Sequence, residues 1–121
     1  MPYVDGFIVP IPKKNIPAYT KLAKLAAKIW REYGALEYRE CLADDLKAPG
    51  LWPFPKTVKA KPGETIILAY IVYKSRAQRD RINAKVMQDP RLAGMAKEMP
   101  FDVKRMAYGG FKTIVGYGPK A

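Results

Sequence analysis

Apolar residues recur at two periods along this chain, and each change of period marks an element. Residues 3–11, YVDGFIVPI, are rich in β-branched and aromatic types and end at Pro12, which reads as a strand. From about Asn15 the spacing becomes three and four. Ile16, Tyr19, Leu22, Ala23, Ala26, Ile29, Trp30 and Tyr33 share one side, and Lys14, Lys21, Lys24, Lys28 and Arg31 take the other. This predicts an amphipathic helix, with Gly34 where its stop belongs. Alternation returns in ALEYRECLAD, residues 35–44, a second strand with a polar side, and TIILAYIVY, residues 65–73, is the clearest strand of all. Ser75 then opens a helix with Gln78 at capping-box spacing, running to Met87. Asp89-Pro90 starts a short helix over 90–98, and a last strand covers about 104–116. Between the second and third strands, residues 46–63 carry Pro49, Pro53, Pro55 and Pro62. A connection of that length in a small domain is either functional or partly structured.

The order strand, helix, strand, strand, helix, strand is that of a ferredoxin-like βαββαβ plait, an α+β fold with a four-stranded antiparallel sheet and its helices on one face. Residues 1–121 are expected to form a single such domain. The third strand nevertheless has two apolar sides, with Ile67, Ala69, Ile71 and Tyr73 on one and Ile66, Leu68, Tyr70 and Val72 on the other. The first strand behaves alike. A sheet with one wet face should alternate apolar and polar, so this sheet is expected to be covered twice. Leaving about ten such side chains wet, at ~1.5 kcal/mol each, forfeits as much as ~15 kcal/mol, comparable to the whole stability of a domain. A second copy of the chain, sheet against sheet as a homodimer, is the simplest cover. The alternative is the Pro-rich segment folded over that face.

Composition narrows the chemistry. With 49% hydrophobic and 27% charged residues the chain has ordinary globular composition. It has no run near the ~18 apolar residues of a membrane helix. Its start, MPYVDGFIVP, resembles no secretory signal, and one cysteine, Cys41, fits a reducing compartment, so a cytoplasmic location without a membrane partner is expected. Twenty-two Lys and Arg against eleven Asp and Glu give +11. That makes nucleic acid a partner to weigh, through the lysine stripe of the first helix with Trp52 and Phe54 as stacking surfaces. The basic residues are scattered rather than clustered, and any amphipathic helix shows such a stripe to water, so this reading is not favoured. Histidine is absent. That removes the commonest general base and the usual zinc, iron and haem ligands, so no metal site and no cofactor are expected.

YVDGF at 3–7, GAL at 34–36 with EC at 40–41, SRAQRDRINAKVMQDPR at 75–91 and MPFDVKRMAYGGF at 99–111 closely resemble the YbaA-like family of small bacterial proteins of unknown function. The resemblance covers nearly the whole chain. It implies a ferredoxin-like subunit of the dimeric α/β-barrel superfamily, whose members include cofactor-free monooxygenases, haem-handling enzymes and lactone isomerases. It supplies no catalytic residues, and fold alone is a weak warrant for activity.

A barrel of this kind encloses a cavity suited to a small organic ligand, so polar groups within apolar strands are the candidates. Asp5 interrupts an apolar run and could work as an acid or base, or could tie strand ends together by pairing with Arg105. Glu40, on one strand face with Tyr38 and Leu42, could accept a proton or make a cross-strand ion pair. Tyr108 is expected to border the cavity, with Arg105, Trp52 and Phe54 as ligand contacts. If the protein is an enzyme, Tyr108, Asp5 and Glu40 are the orienting and proton-carrying side chains. Cys41 is expected to be inert packing, since no histidine exists to activate it. Asp44 and Asp45 read as a solvated turn. Arg76, Arg79 and Arg81 could hold an anion at a helix start, or form a charge network around Asp80. Gly109-Gly110 in the last strand predicts a bulge that redirects Tyr108 and Phe111, or else a close approach of chains.

Overall fold

A computed structural model describes residues 1–118. Strand β1 (Tyr3–Pro12) leads through a 3₁₀ turn into helix α1 (Ile16–Glu32), followed by β2 (Glu37–Leu42), a four-residue helix α2 (Phe54–Thr57), β3 (Glu64–Tyr73), α3 (Arg76–Met87), α4 (Pro90–Met95) and β4 (Ala107–Lys112). The antiparallel sheet has the order β2-β3-β1-β4. β1 and β3 lie at its centre and pair over ten positions, from Tyr3 opposite Tyr73 to Pro12 opposite Glu64. Pro10 is tolerated in a central strand because β4 extends only to Ala107 opposite Ile8. Beyond that point the side of β1 lacking an N–H has no ladder to serve.

The period of two sends Asp5, Phe7, Val9 and Ile11 of β1, and Ile67, Ala69, Ile71 and Tyr73 of β3, toward the helices. Helix α1 answers with Tyr19, Ala23, Ala26 and Ile29, all buried at spacings of four and three. Pro17 lies in its first turn, and the chain leaves it through Gly34 at φ +109°. The Ser75 hydroxyl caps α3 by accepting from the Gln78 N–H at 3.1 Å, and Asp89 caps α4 by accepting from the Arg91 N–H at 2.9 Å. Arg91 and the Tyr33 hydroxyl also bond the Asp89 carboxylate and hold its pKa well below the usual range.

The core divides in two. Val9, Ile11, Tyr19, Ala23, Ile67, Ala69 and Phe101 form one cluster, and Ile29, Ile71, Tyr73, Ile82 and Val86 the other. Phe7 packs against both. A cavity opens between them.

Several sequence expectations are corrected. The last strand is Ala107–Lys112 rather than 104–116, because Asp102 accepts from the Lys104 N–H at 3.0 Å and winds Val103–Arg105 into a 3₁₀ turn. Residues 109 and 110 form no bulge: β4 pairs with β1 without a break, Gly109 opposite Gly6 and Gly110 opposite Asp5. The glycines answer two close approaches instead. On the open face the Phe111 ring lies over Gly6 and Gly109, 3.5 Å from where a Cβ of either would stand. On the helix face a Cβ at Gly110 would run into Tyr3 and come within 2.9 Å of Arg79 Nη2. Cys41 is exposed rather than buried, because β2 is an edge strand and Cys41 points away from the helices.

The second face of the sheet is covered in part. Phe54 and Leu46 from the Pro-rich segment overhang Ile8, Ile66 and Leu68, leaving a hollow of about 130 Å³. Leu68 and Phe111 remain 46% and 62% exposed on the rest of that face.

Candidate functional site

Between the sheet and the helices lies a cavity of about 380 Å³. Its walls are largely aromatic and methionine side chains, among them Phe7, Trp30, Phe101, Met95, Met99 and Met106. Among the described residues two charged side chains line it, Asp5 and Glu40, and both are acidic.

Asp5 sits mid-sheet and is 1% exposed. Its Oδ2 accepts from the Tyr73 hydroxyl at 3.1 Å and from Asn83 Nδ2 at 3.4 Å. The Trp30 indole N–H donates to Tyr73 Oη and to Asn83 Oδ1, each at 3.1 Å, so β1, β3, α1 and α3 meet in one network. The other carboxylate oxygen, Oδ1, is buried without a hydrogen bond. The nearest cation, Arg79 Nη1, stands 3.7 Å from it, beyond bonding reach. Arg79 instead donates to the Tyr108 hydroxyl at 2.9 Å and to the Tyr3 hydroxyl at 3.2 Å, with its guanidinium over the Tyr3 ring. A buried acceptor of this kind costs free energy until a donor reaches it. Burial raises the Tyr73 and Tyr108 hydroxyl pKa values, and the charge of Asp5 adds to both shifts. At neutral pH these groups therefore stay protonated and act as donors and orienters.

Glu40, expected in a cross-strand ion pair, makes a different contact. It accepts from the Tyr19 hydroxyl at 2.7 Å and the Tyr38 hydroxyl at 2.6 Å. Burial raises both phenols, with Glu40 adding to each shift. This trio also lines a second hollow of about 300 Å³ between α1 and β2, and so partitions the cavity from it.

Of the residues singled out by sequence, Asp5, Glu40 and Tyr108 come together around one cavity. Arg105 does not join them. Its guanidinium makes a two-pronged pair with Glu64 at 2.7 and 2.9 Å, so the basic partner near Asp5 is Arg79 rather than Arg105. Trp52 is 73% exposed with Lys56 over its ring, and Phe54 borders the hollow on the opposite side of the sheet. The exposed Lys21, Lys24 and Lys28 lie on the helix side, so the lysine stripe and Phe54 stand on opposite sides of the sheet. Arg76 and Arg79 both pair with Asp80, at 3.7 and 3.2 Å, so the start of α3 carries the charge network around Asp80, and Arg79 also reaches inward to within 3.7 Å of Asp5. Among the described residues no three acidic or cysteine side chains converge as a metal site. Tyr73, Asn83, Trp30 and Tyr19 are the residues that sequence reasoning passed over. One signal for Asn83 was present, its place four residues after Arg79 on the same helical face.

The model of a family described as a protein of unknown function, DUF1428, matches residues 2–103. The chain belongs to the DUF1428 family. A relative, the uncharacterised protein YbaA of Escherichia coli strain K12, is 43% identical over 115 residues, covering 95% of this chain and 98% of its own. Solved structures extend the likeness at the level of fold. A NIPSNAP family protein of unknown function from Agrobacterium tumefaciens superposes with a TM-score of 0.58 at 16% identity, over 93% of this chain and 87% of that one. Rv0793 from Mycobacterium tuberculosis gives 0.57 at 14%, over 98% and 100%. A dimeric ferredoxin-like protein from an uncultured marine organism gives 0.50 at 14%, again over 98% and 100%. The DUF1428 chain thus has the ferredoxin-like α+β fold, with an open four-stranded sheet.

Proposed function

We propose that this protein binds a small, mostly apolar organic molecule in the cavity between sheet and helices, anchored by a hydrogen bond from the ligand to Asp5 Oδ1. The observation that carries this reading is a buried carboxylate oxygen that accepts no hydrogen bond, with its nearest cation 3.7 Å away, in an otherwise largely apolar chamber. The volume is within the ordinary range for small-molecule sites, and a few polar groups in an apolar wall are what orient such ligands. A ligand O–H or N–H held at Asp5 is also placed to lose its proton, with Tyr108 and Tyr73 as orienting donors. That arrangement suits cofactor-free oxygenase or isomerase chemistry, in which substrate deprotonation comes first.

The same chain forms a homodimer through its second face. Leu68 and Phe111 stand exposed there beside Val4 and Ile8, and a neighbour of the same fold is a dimeric ferredoxin-like protein. No helix among the described residues is long and apolar enough to cross a membrane, and the free Cys41 thiol suits the cytoplasm.

Calorimetric titration with a simple phenol such as 4-ethylphenol tests the ligand reading. Asp5→Asn, which leaves the side chain's shape intact, is expected to weaken binding about tenfold, and Tyr108→Phe to weaken it less. Equal affinity for wild type and Asp5→Asn would remove Asp5 from the site.

A further inference from the structure

The charge of the lining points further. In a chain with twice as many Lys and Arg as Asp and Glu, the described residues of the cavity wall include two carboxylates and no cation. The two differ in their compensation. Asp5 has Arg79 3.7 Å away, whereas none of the ion pairs among the described residues includes Glu40. Two neutral phenols hold Glu40, and phenols supply hydrogen bonds without charge. Beside it the Trp30 and Tyr38 rings pack in a tilted contact with their centres 6.1 Å apart, and both line the cavity.

The spacing of the two carboxylates limits what can bridge them. Asp5 lies opposite Ile71, and Ile71 opposite Tyr38, while Glu40 lies two residues further along β2 on the same face. Two strand spacings of about 4.8 Å and two residues of about 3.4 Å put the Cα atoms about 12 Å apart. Both side chains project to the same face, so the carboxylates are separated by a similar distance, and a hydrogen bond of about 3 Å at each end leaves a ligand whose donors are about 6 Å apart or more.

We infer that the ligand is a cationic amine with a second hydrogen-bond donor at its far end, its ammonium at Glu40 among Tyr19, Tyr38 and Trp30 and its hydroxyl or amine donor on Asp5 Oδ1. Hydroxyarylalkylamines and short diamines with an apolar middle are the chemical class. This inference rests on the cavity being a ligand site, and the test below separates the two.

Four matched probes decide it by calorimetry on the full chain: tyramine, phenethylamine, 4-ethylphenol and 3-(4-hydroxyphenyl)propionate. Tyramine is expected to bind most tightly, with a loss of about tenfold on removing either the amine or the hydroxyl, and a larger loss for the propionate. Glu40→Gln should abolish the preference for tyramine over 4-ethylphenol, and Asp5→Asn the preference for tyramine over phenethylamine. If 4-ethylphenol or the propionate binds wild type as tightly as tyramine, the cationic assignment is overturned while the cavity reading stands on the Asp5→Asn result. If none of the four binds at millimolar concentration, both fall. The probe series on wild type is decisive even where a variant fails to fold.

Discussion

Alanine at Gly110 and alanine at Gly109 are adjacent, chemically identical changes for which the structure sets different costs. Both residues lie in β4 with unbroken pairing to β1, so both accept a strand conformation, and the replacement reduces the freedom of the unfolded chain equally. At Gly109 the new methyl meets the Phe111 ring at 3.5 Å, ordinary van der Waals contact. At Gly110 it enters space held by Tyr3 and approaches Arg79 Nη2 to 2.9 Å. Both neighbours are side-chain tips and can swing outward, so the fold survives. The move breaks the Arg79–Tyr3 hydrogen bond and lifts the guanidinium from the ring. Loss of one charge-assisted bond and a displaced aromatic ring together amount to about 1–2 kcal/mol. Gly109→Ala should lie between neutral and about 0.5 kcal/mol stabilising. Urea denaturation monitored by circular dichroism compares the pair. The reasoning is refuted if Gly110→Ala is as stable as wild type, or if Gly109→Ala is the more damaging of the two.

Three further outcomes are expected. Arg105 and the Lys61 N–H hold the Glu64 carboxyl down to about 2, so its contribution to stability is full above the unfolded value near 4.5 and is lost as pH falls through about 2. Allowing for solvent at Arg105, Glu64→Gln should cost about 1–2 kcal/mol at neutral pH, and its melting temperature should converge with wild type between about pH 5 and pH 2. A gap that widens on acidification contradicts this. Tyr19→Phe removes one donor from Glu40 but keeps the edge contact with Phe101, so denaturation should show a loss of about 1 kcal/mol; an unchanged midpoint would mean the bond contributes nothing. Leu68→Asp places a charge on the exposed apolar face, and light scattering should report half the wild-type mass with the fold intact by circular dichroism. A wild type that is already a single subunit at micromolar concentration would rule out the dimer.

Period and capping residues made most of the architecture readable. The alternation of TIILAYIVY located β3, the stripe from Tyr19 to Ile29 located α1, and Ser75 and Asp89 marked the helix starts they cap. The two-sided apolarity of β3 also announced a second covered face, and the segment carrying Phe54 accounts for part of it. What the chain hid depends on contacts across long stretches of sequence. The Asp5 network joins residues 68 and 78 apart, and no local pattern tells that Arg79 rather than Arg105 reaches that end of the strand. Gly109-Gly110 was ambiguous for a local reason: glycine marks a bulge or a close approach with the same letters, and only the neighbours Tyr3, Arg79 and Phe111 distinguish them. Glu40 was visible as a candidate, but its tyrosine partners come from α1 and from its own strand two residues back.

The two tryptophans give the most direct test of the central claim, because Trp30 lines the cavity with its indole N–H on Tyr73 and Asn83, while Trp52 stands exposed in the Pro-rich segment and does not line the cavity. In proton–nitrogen NMR spectra recorded during a titration with tyramine, the Trp30 indole signal should shift and saturate while that of Trp52 stays in place. Movement of the Trp52 signal alone, or of neither, would contradict a ligand site between sheet and helices.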